Sequence, residues 1–391
     1  MSETNYQMNN QSTSAAIHHP VLKVLGLGGG GGNAVTRMLE LGVSGVEFIA
    51  ANTDLQVLKT NPSPRKILMG PHVTRGLGAG GDPRLGRAAA EESAKEIAAA
   101  LSGADMVFLT TGMGGGTGTG SIAVAAEIAR KLGAVTIAIV TMPFAFEMGR
   151  RQQNATQGLA LLQKQTDTLI SIPNDRLLYV APRNLPMEMA FRLADDVLRQ
   201  AVQGISELIT EPGLINVDFS HIRRLMKLGG GALMAIGHGQ GESKANKAIE
   251  QALHHPMLDS VDLDHAAGII ANFTGGPDLT LFEVEEALTH LQEQTSSQTE
   301  IVLGVINDER MEERVQVTLI VTGLGAPTLE ETLSKVSHAQ PVEVKTAPLP
   351  VETPVRLVAP PTQTAPPMSP PASASDIDLP AFLRRRIRYA G

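Results

Sequence analysis

The chain has 391 residues, a formal net charge of −8, no cysteine, no tryptophan and only 3% aromatic residues. These numbers exclude disulfides and thiolate chemistry, require an aliphatic core, and argue against sequence-independent nucleic-acid binding by the body of the chain. No stretch reaches the apolar length of a membrane span, and the polar opening "MSETNYQMNNQSTSAA" lacks the basic and apolar regions of a signal peptide, so a cytoplasmic protein is expected.

In chain order, residues 1–19 are polar and are expected to form a disordered tail. Residues 20–182 alternate apolar, β-branched runs with helical patterns. Strands are predicted at 21–25, 46–51, 105–111, 134–141 and 168–172, and helices from Asn33, from Pro83, from Ser121 and after Gly149. That rhythm implies right-handed βαβ units in a Rossmann-like, mostly parallel sheet covered on both faces. Residues 183–211 hold a long central helix with Ala190, Leu193, Ala194, Val197, Leu198, Ala201 and Ile205 on one stripe. Residues 212–325 form a smaller α/β set ending in strands such as 315–322. Residues 326–375, rich in Pro, Ala, Thr and Val, cannot bury a core and are expected to be a partly disordered linker. The last segment, 376–391, reads "DIDLPAFLRRRIRYAG" and joins an apolar cluster to four arginines.

Chemistry enters with the glycines. "GMGGGTGTGS" (112–121) lies between a strand and a helix, so its backbone N–H groups can converge on an anion at the helix's positive end. "GLGGGGGN" (26–33) repeats the arrangement after the first strand. Gly26, Gly28 and Gly31 satisfy GxGxxG, but five consecutive glycines satisfy almost any glycine pattern, and Glu47 and Asp54 do not decide the matter. A dinucleotide-dependent oxidoreductase is therefore an alternative, one that leaves the second loop unexplained. Two glycine loops on one sheet edge suit the phosphates of a mononucleotide held from two sides. No Gly-Lys-Ser or Gly-Lys-Thr occurs, so phosphate charge must be met by backbone N–H groups, threonine hydroxyls and a bound cation.

"GLGGGGGNAV", "NTD" (52–54), "RGLGAGGDP" (75–83), "GMGGGTGTG", "PFAFE" (143–147), "IPNDRLL" (172–178), "ADDVLRQAVQGISELIT" (194–210) and "GLINVDF" (213–219) together resemble the tubulin/FtsZ GTPase family in its FtsZ branch. The resemblance implies a nucleotide-binding α/β domain, a central helix and a smaller C-terminal α/β domain. It also implies GTP binding, with Mg²⁺ held beside the nucleotide, and hydrolysis coupled to filament assembly at the mid-cell division ring. Carried over position by position, Gly28, Gly29 and Asn33 come from the first loop. Ala79, Gly80 and Gly81 would sense the γ-phosphate, in "GAGGDP" where the family usually shows "GAGANP". Gly114, Gly115, Gly116, Thr117 and Gly118 would cradle phosphates, and Glu147 and Arg151 would contact ribose and phosphate, with Met148 in place of the usual glycine. Asn174, Phe191 and Asp195 would form the base pocket. Taken alone, Phe191 would read as a core aromatic and Asp195 as a solvated helix charge.

The same resemblance implies that the loop holding Asn216, Asp218 and His221 acts on the nucleotide of the next subunit, so that the active site is completed only in a head-to-tail polymer. The family usually places a second acid where His221 stands, which implies slower hydrolysis here. A GTP-binding structural filament or assembly modulator with little turnover is the leading alternative. The tail resembles the peptide with which the family docks on membrane-anchoring division proteins and other division-ring regulators; Ile377, Leu379, Phe382 and Leu383 would form its apolar stripe. No metal cluster within the protein itself is expected.

Overall fold

The computed structural model describes residues 19–147, 149–179, 182, 184–211, 213–215, 217–258 and 263–324. In chain order, β1 (Leu22–Leu27) runs directly into α1 (Gly28–Glu40), followed by β2 (Val46–Asn52), α2 (Leu55–Thr60), β3 (Arg65–Leu68), α3 (Pro71–Thr74), α4 (Pro83–Glu92) and α5 (Ala94–Leu101). Then come β4 (Met106–Gly112), α6 (Thr117–Lys131), β5 (Val135–Met142), α7 (Arg150–Leu162), β6 (Thr168–Pro173), α8 (Asn174–Leu177) and the long α9 (Met187–Thr210). After these follow α10 (Phe219–Met226), β7 (Gly231–Gln240), α11 (Lys244–Leu253), β8 (Gly268–Gly275), α12 (Leu281–Glu293), β9 (Glu300–Asn307) and β10 (Arg314–Leu324).

The strands form one ten-stranded sheet in the order β3-β2-β1-β4-β5-β6-β7-β10-β8-β9. From β3 to β6 every pairing is parallel, as the βαβ rhythm implies. β10 then runs antiparallel to both β7 and β8, while β8 and β9 are parallel. Residues 20–182 and 212–325 therefore share a sheet, joined where Leu169 pairs with Gly231 and Ile170 with Ala232.

Alternation along the buried strands feeds two cores. Leu22 and Val24 of β1 and Phe108 of β4 pack with Ala34, Val35 and Met38 of α1 and with Leu198, Ala201 and Ile205 of α9. The intervening positions, Leu25, Leu27 and Leu109, pack with Ile97 of α5 and with Ile122, Ala125 and Ala129 of α6. α9 also reaches the other half of the sheet, since Met234, Ile270 and Ile320 belong to the same core. The remaining face of that half is closed by α11 and α12 through Ala248, Ile249, Val284 and Leu291. Small residues let these helices approach closely: a Cβ on Gly237 of β7 would stand 1.9 Å from the Ala248 carbonyl oxygen.

Three local features differ from the sequence expectation. α1 begins at Gly28 instead of Asn33, and α6 at Thr117 instead of Ser121. Glycine costs a helix interior about 1 kcal/mol against alanine, yet at Gly31 of α1 and at Gly118 and Gly120 of α6 a Cβ would collide with neighbouring atoms, so only glycine fits there. The pattern from Pro83 is two helices meeting at Ser93, whose Oγ accepts from the Gly70 N–H at 3.1 Å.

Candidate nucleotide-binding site

Parallel pairing brings the C-terminal ends of β1, β4, β5 and β6 to one edge. Open α/β sheets bind ligands there, and the turns leaving these strands enclose a cavity of about 400 Å³. Gly29, Gly30 and Asn33 line it from the first turn of α1, and Gly115, Gly116, Thr117 and Gly118 from the β4–α6 loop. Glu147, Arg151 and Asn174 follow β5 and β6, and Phe191 and Asp195 come from α9. The cavity thus gathers eleven of the sixteen residues that the sequence singles out for nucleotide binding, from five separate stretches of chain.

The glycines divide into two kinds. Gly118 and Gly31 are buried in the junction: a Cβ would stand 1.9 Å from Thr111 Oγ1 in the first case and 2.3 Å from the Thr110 carbonyl oxygen in the second. They let the first turns of α1 and α6 press against β4 and against each other. Gly29 and Gly115 have nothing within 4 Å of such a Cβ, so their open side is the cavity. Hydroxyls complete the junction. Thr111 Oγ1 donates to the Leu27 carbonyl at 2.8 Å, and Thr53 and Thr117 share a hydroxyl hydrogen bond of 2.6 Å.

Electrostatically the glycine-lined end suits an anion without a lysine. Neither α1 nor α6 has an acidic residue in its first turn, so both positive helix ends face the cavity undiminished. Arg151 pairs with Glu147, whose other carboxylate oxygen accepts from the Phe144 N–H at 2.9 Å. The cation on this side is therefore fixed in place and largely neutralised.

The other end is aromatic and acidic. Phe191 meets Phe144 edge-on at 5.5 Å, and Phe144 stacks on Phe146 at 5.1 Å, which leaves the Phe191 ring supported and 37% exposed. Burial pushes the Asp195 carboxyl up to about 7, against the pull of the nearby Arg37 guanidinium. Asn174 is only 4% exposed and its Oδ1 has no partner. A buried acceptor without a donor costs about 1–3 kcal/mol, so this end of the cavity fits a flat ligand bringing N–H groups.

Seven of the described sequence candidates do not line the cavity. Gly28 and Gly114 lie behind it at positive φ of 69° and 99°. Ala79, Gly80 and Gly81 form a neighbouring loop that packs on Gly116: a Cβ there would stand 2.7 Å from the Asp82 nitrogen and 3.0 Å from Ala79 Cβ. Asp218 and His221 are exposed at the start of α10 and line no part of the cavity. Asn216, Met148 and the tail residues Ile377, Leu379, Phe382 and Leu383 lie outside the described residues.

Thr111, Met113, Thr141, Pro143 and Ala194 also line the cavity and were not foreseen. Thr111 and Thr141 end β4 and β5, so their position follows from strand register, which a single sequence does not reveal. A larger cavity of about 640 Å³ lies between α9 and the C-terminal strands, where Glu207, Glu211, Asp308 and Glu309 outnumber Arg199 and Arg310 and leave a net negative lining. Among the described residues, no group of three His, Cys, Asp or Glu side chains could hold a metal ion, and no helix is long and apolar enough to cross a membrane.

The model of the Tubulin/FtsZ family, GTPase domain, matches residues 21–182, and that of the FtsZ family, C-terminal domain, matches residues 230–325. Among solved structures, an empty FtsZ dimer from M. jannaschii is 45% identical, with a TM-score of 0.76, covering 79% of this chain and 90% of that one. A point mutant of FtsZ from the same organism is 45% identical, with a TM-score of 0.75, over 78% of this chain and 91% of its own. CetZ2 from Haloferax volcanii, in a GTPγS-bound protofilament, is 21% identical over 82% of this chain and 97% of that one, a likeness of fold with a TM-score of 0.66.

Proposed function

The chain belongs to the Tubulin/FtsZ family of GTPases, and from that membership and this cavity we propose that it binds and hydrolyses GTP, polymerises head-to-tail and scaffolds the bacterial cell-division ring. The observation that carries this reading is the pairing of two glycine-built anion sites with an aromatic, carboxylate-bearing end in one cavity. Guanine lies over Phe191 with Asp195 accepting from its ring N–H and exocyclic amine, Asn33 reaches the base or the ribose, and Glu147 reaches the ribose. The α- and β-phosphates rest on Gly29 and Gly115 and on the first turns of α1 and α6, and the γ-phosphate points toward residues 79–82. A Mg²⁺ ion held beside the phosphates would add positive charge that Arg151, paired with Glu147, does not supply, and the Thr117 hydroxyl would be the residue to help hold it.

Hydrolysis is phosphoryl transfer to water, in which positioning and charge stabilisation do most of the work. Asp218 and His221 stand away from their own cavity, which supports a site completed by the adjoining subunit. There Asp218 would orient the attacking water, with Asn216 and His221 beside it. Such a contact does not close on itself and generates open filaments. One observation favours the slower alternative, a filament with little turnover: the imidazole of His221 stands where the family usually places a carboxylate. The segment 376–391 would dock on a membrane-anchoring division protein, which places the polymer at mid-cell.

Light scattering on adding GTP with Mg²⁺, followed in parallel with phosphate release, tests the proposal. Scattering should rise reversibly with GTP and not with GDP, and phosphate release should begin above a threshold protein concentration. Equal scattering without nucleotide would overturn it.

A further inference from the structure

Asn154 lies on α7, outside the nucleotide cavity, yet its side-chain amide reaches both loops on the phosphate side. Its Nδ2 donates to the Gly81 carbonyl at 3.1 Å and to the Gly114 carbonyl at 3.2 Å. The first acceptor belongs to residues 79–82, which lead into α4 through the Asp82 cap. The second belongs to the loop between β4 and α6. These loops already touch where Gly116 meets Ala79 and Asp82, and Asn154 adds a polar tie from a third element.

The loop at 79–82 has reason to need one. Gly80 and Gly81 are consecutive, both exposed and both at positive φ, 56° and 75°. Glycine loses more conformational freedom on ordering than any other residue. Neither would have a neighbour within 4 Å of a Cβ, so side-chain packing does not restrain them. The ends are anchored, since the Gly78 N–H donates to the Thr53 carbonyl at 3.1 Å and the Asp82 N–H to the Ala79 carbonyl at 2.9 Å. Between those anchors, the Gly81 carbonyl is held by Asn154. The amide suits the task because both acceptors are carbonyls and its nitrogen carries two N–H donors.

We propose that Asn154 is a positioning residue that ties residues 79–82 to the β4–α6 loop and keeps the γ-phosphate side of the cavity assembled before nucleotide arrives. The inference rests on the GTP reading above, in which that side receives the γ-phosphate. Ordering the loop in the free protein removes a cost that nucleotide binding would otherwise carry. GTP reaches the loop and GDP does not, so the tie raises affinity for GTP selectively.

Hydrogen exchange on the nucleotide-free protein, with GTP and GDP affinities measured beside it, tests the tie in Asn154→Leu and Asn154→Asp. The first variant removes the donors and the second sets a carboxylate against two carbonyls. Both should exchange the amides of residues 79–82 about tenfold faster than the parent, as expected for two lost hydrogen bonds of about 0.5–1.5 kcal/mol each. GTP affinity should fall about tenfold while GDP affinity stays within about twofold. Unchanged exchange, or equal losses for the two nucleotides, would overturn the proposal. Asn154→Ser, too short to reach either carbonyl, gives the same readout should the leucine variant misfold. A parent protein that bound neither nucleotide would sink the GTP reading, while the exchange result would still decide whether the tie exists.

Discussion

Leu214 and Val305 share a backbone hydrogen bond, the Leu214 N–H donating to the Val305 carbonyl at 2.8 Å, and the next residue, Ile215, forms an isolated antiparallel bridge with the same valine. The segment leading to Asp218 is thereby pinned to β9, the outermost strand on that side of the sheet. Asp218 then occupies the N-cap position of α10 without a capping hydrogen bond from its side chain. An exposed carboxylate with no capping role is available to another molecule, as the proposed function requires.

Asp218→Ala should therefore lower GTP turnover by about a hundredfold or more, the range typical of a lost catalytic acid or base. GTP affinity measured below the assembly threshold should stay within about twofold of the parent. Because the side chain caps nothing, the melting temperature should move little. Phosphate-release rates and monomer binding curves check both halves, and a large loss of monomer affinity would count against a site shared between subunits.

His221→Asp should raise turnover and shorten filament lifetime, because in the proposed shared site a carboxylate would add negative charge beside the attacking water. The comparison is turnover per subunit above the assembly threshold in the two proteins. A His221→Ala variant indistinguishable from the parent in rate and pH profile would make the histidine a bystander.

Guanine recognition should depend on pH through Asp195. Its carboxyl is raised by burial from 3.8 to about 7, with Arg37 opposing, and only the ionised form accepts from two guanine N–H groups. GTP affinity should fall as pH drops from 8 to 6, approaching about tenfold per pH unit below the transition. The sign for folding is opposite. Without nucleotide, the folded chain binds this proton more tightly than the unfolded chain does. The group's contribution to stability is complete below about pH 4 and is lost as pH rises toward 7. Calorimetric titration at pH 6, 7 and 8 checks the binding half, and Asp195→Asn should weaken GTP and flatten the profile.

Gly115→Ala and Gly118→Ala should separate binding from folding. The first methyl enters open cavity and should weaken nucleotide binding while the melting temperature holds. The second meets Thr111 Oγ1 at 1.9 Å, and such overpacking costs about 1–3 kcal/mol or more. Thermal melts without nucleotide distinguish them, and equal melting temperatures would show that the junction yields.

Deleting residues 376–391 should leave GTP hydrolysis and polymerisation intact and abolish recruitment to vesicles carrying a membrane-anchoring partner. Loss of polymerisation in that truncation would count against a modular tail.

The parallel half of the sheet was legible because βαβ chemistry repeats in the chain: apolar runs, turn glycines and helices in fixed alternation. Much of the site was legible too, since glycine loops announce themselves by composition and Phe191 and Asp195 ride on a strongly patterned helix. The edge was harder. β3 is four residues long, and Arg65 and Lys66 give it no apolar signature. Asn154 was invisible in principle, because one asparagine on an amphipathic helix does not disclose acceptors 73 and 40 residues away. Nor does anything in residues 212–325 announce that β7 continues the first sheet.

That continuity is narrow. β4 and β5 run alongside each other for seven paired residues, whereas β6 and β7 meet over two. In the polymer proposed above, a tug would pass through every subunit in series, and in each the two rungs at Leu169 and Ile170 join the halves of the sheet. At that seam the load would fall on side-chain packing more than on the ladder, because α9 shares one core with Ile170 on one side and with Met234, Ile270 and Ile320 on the other.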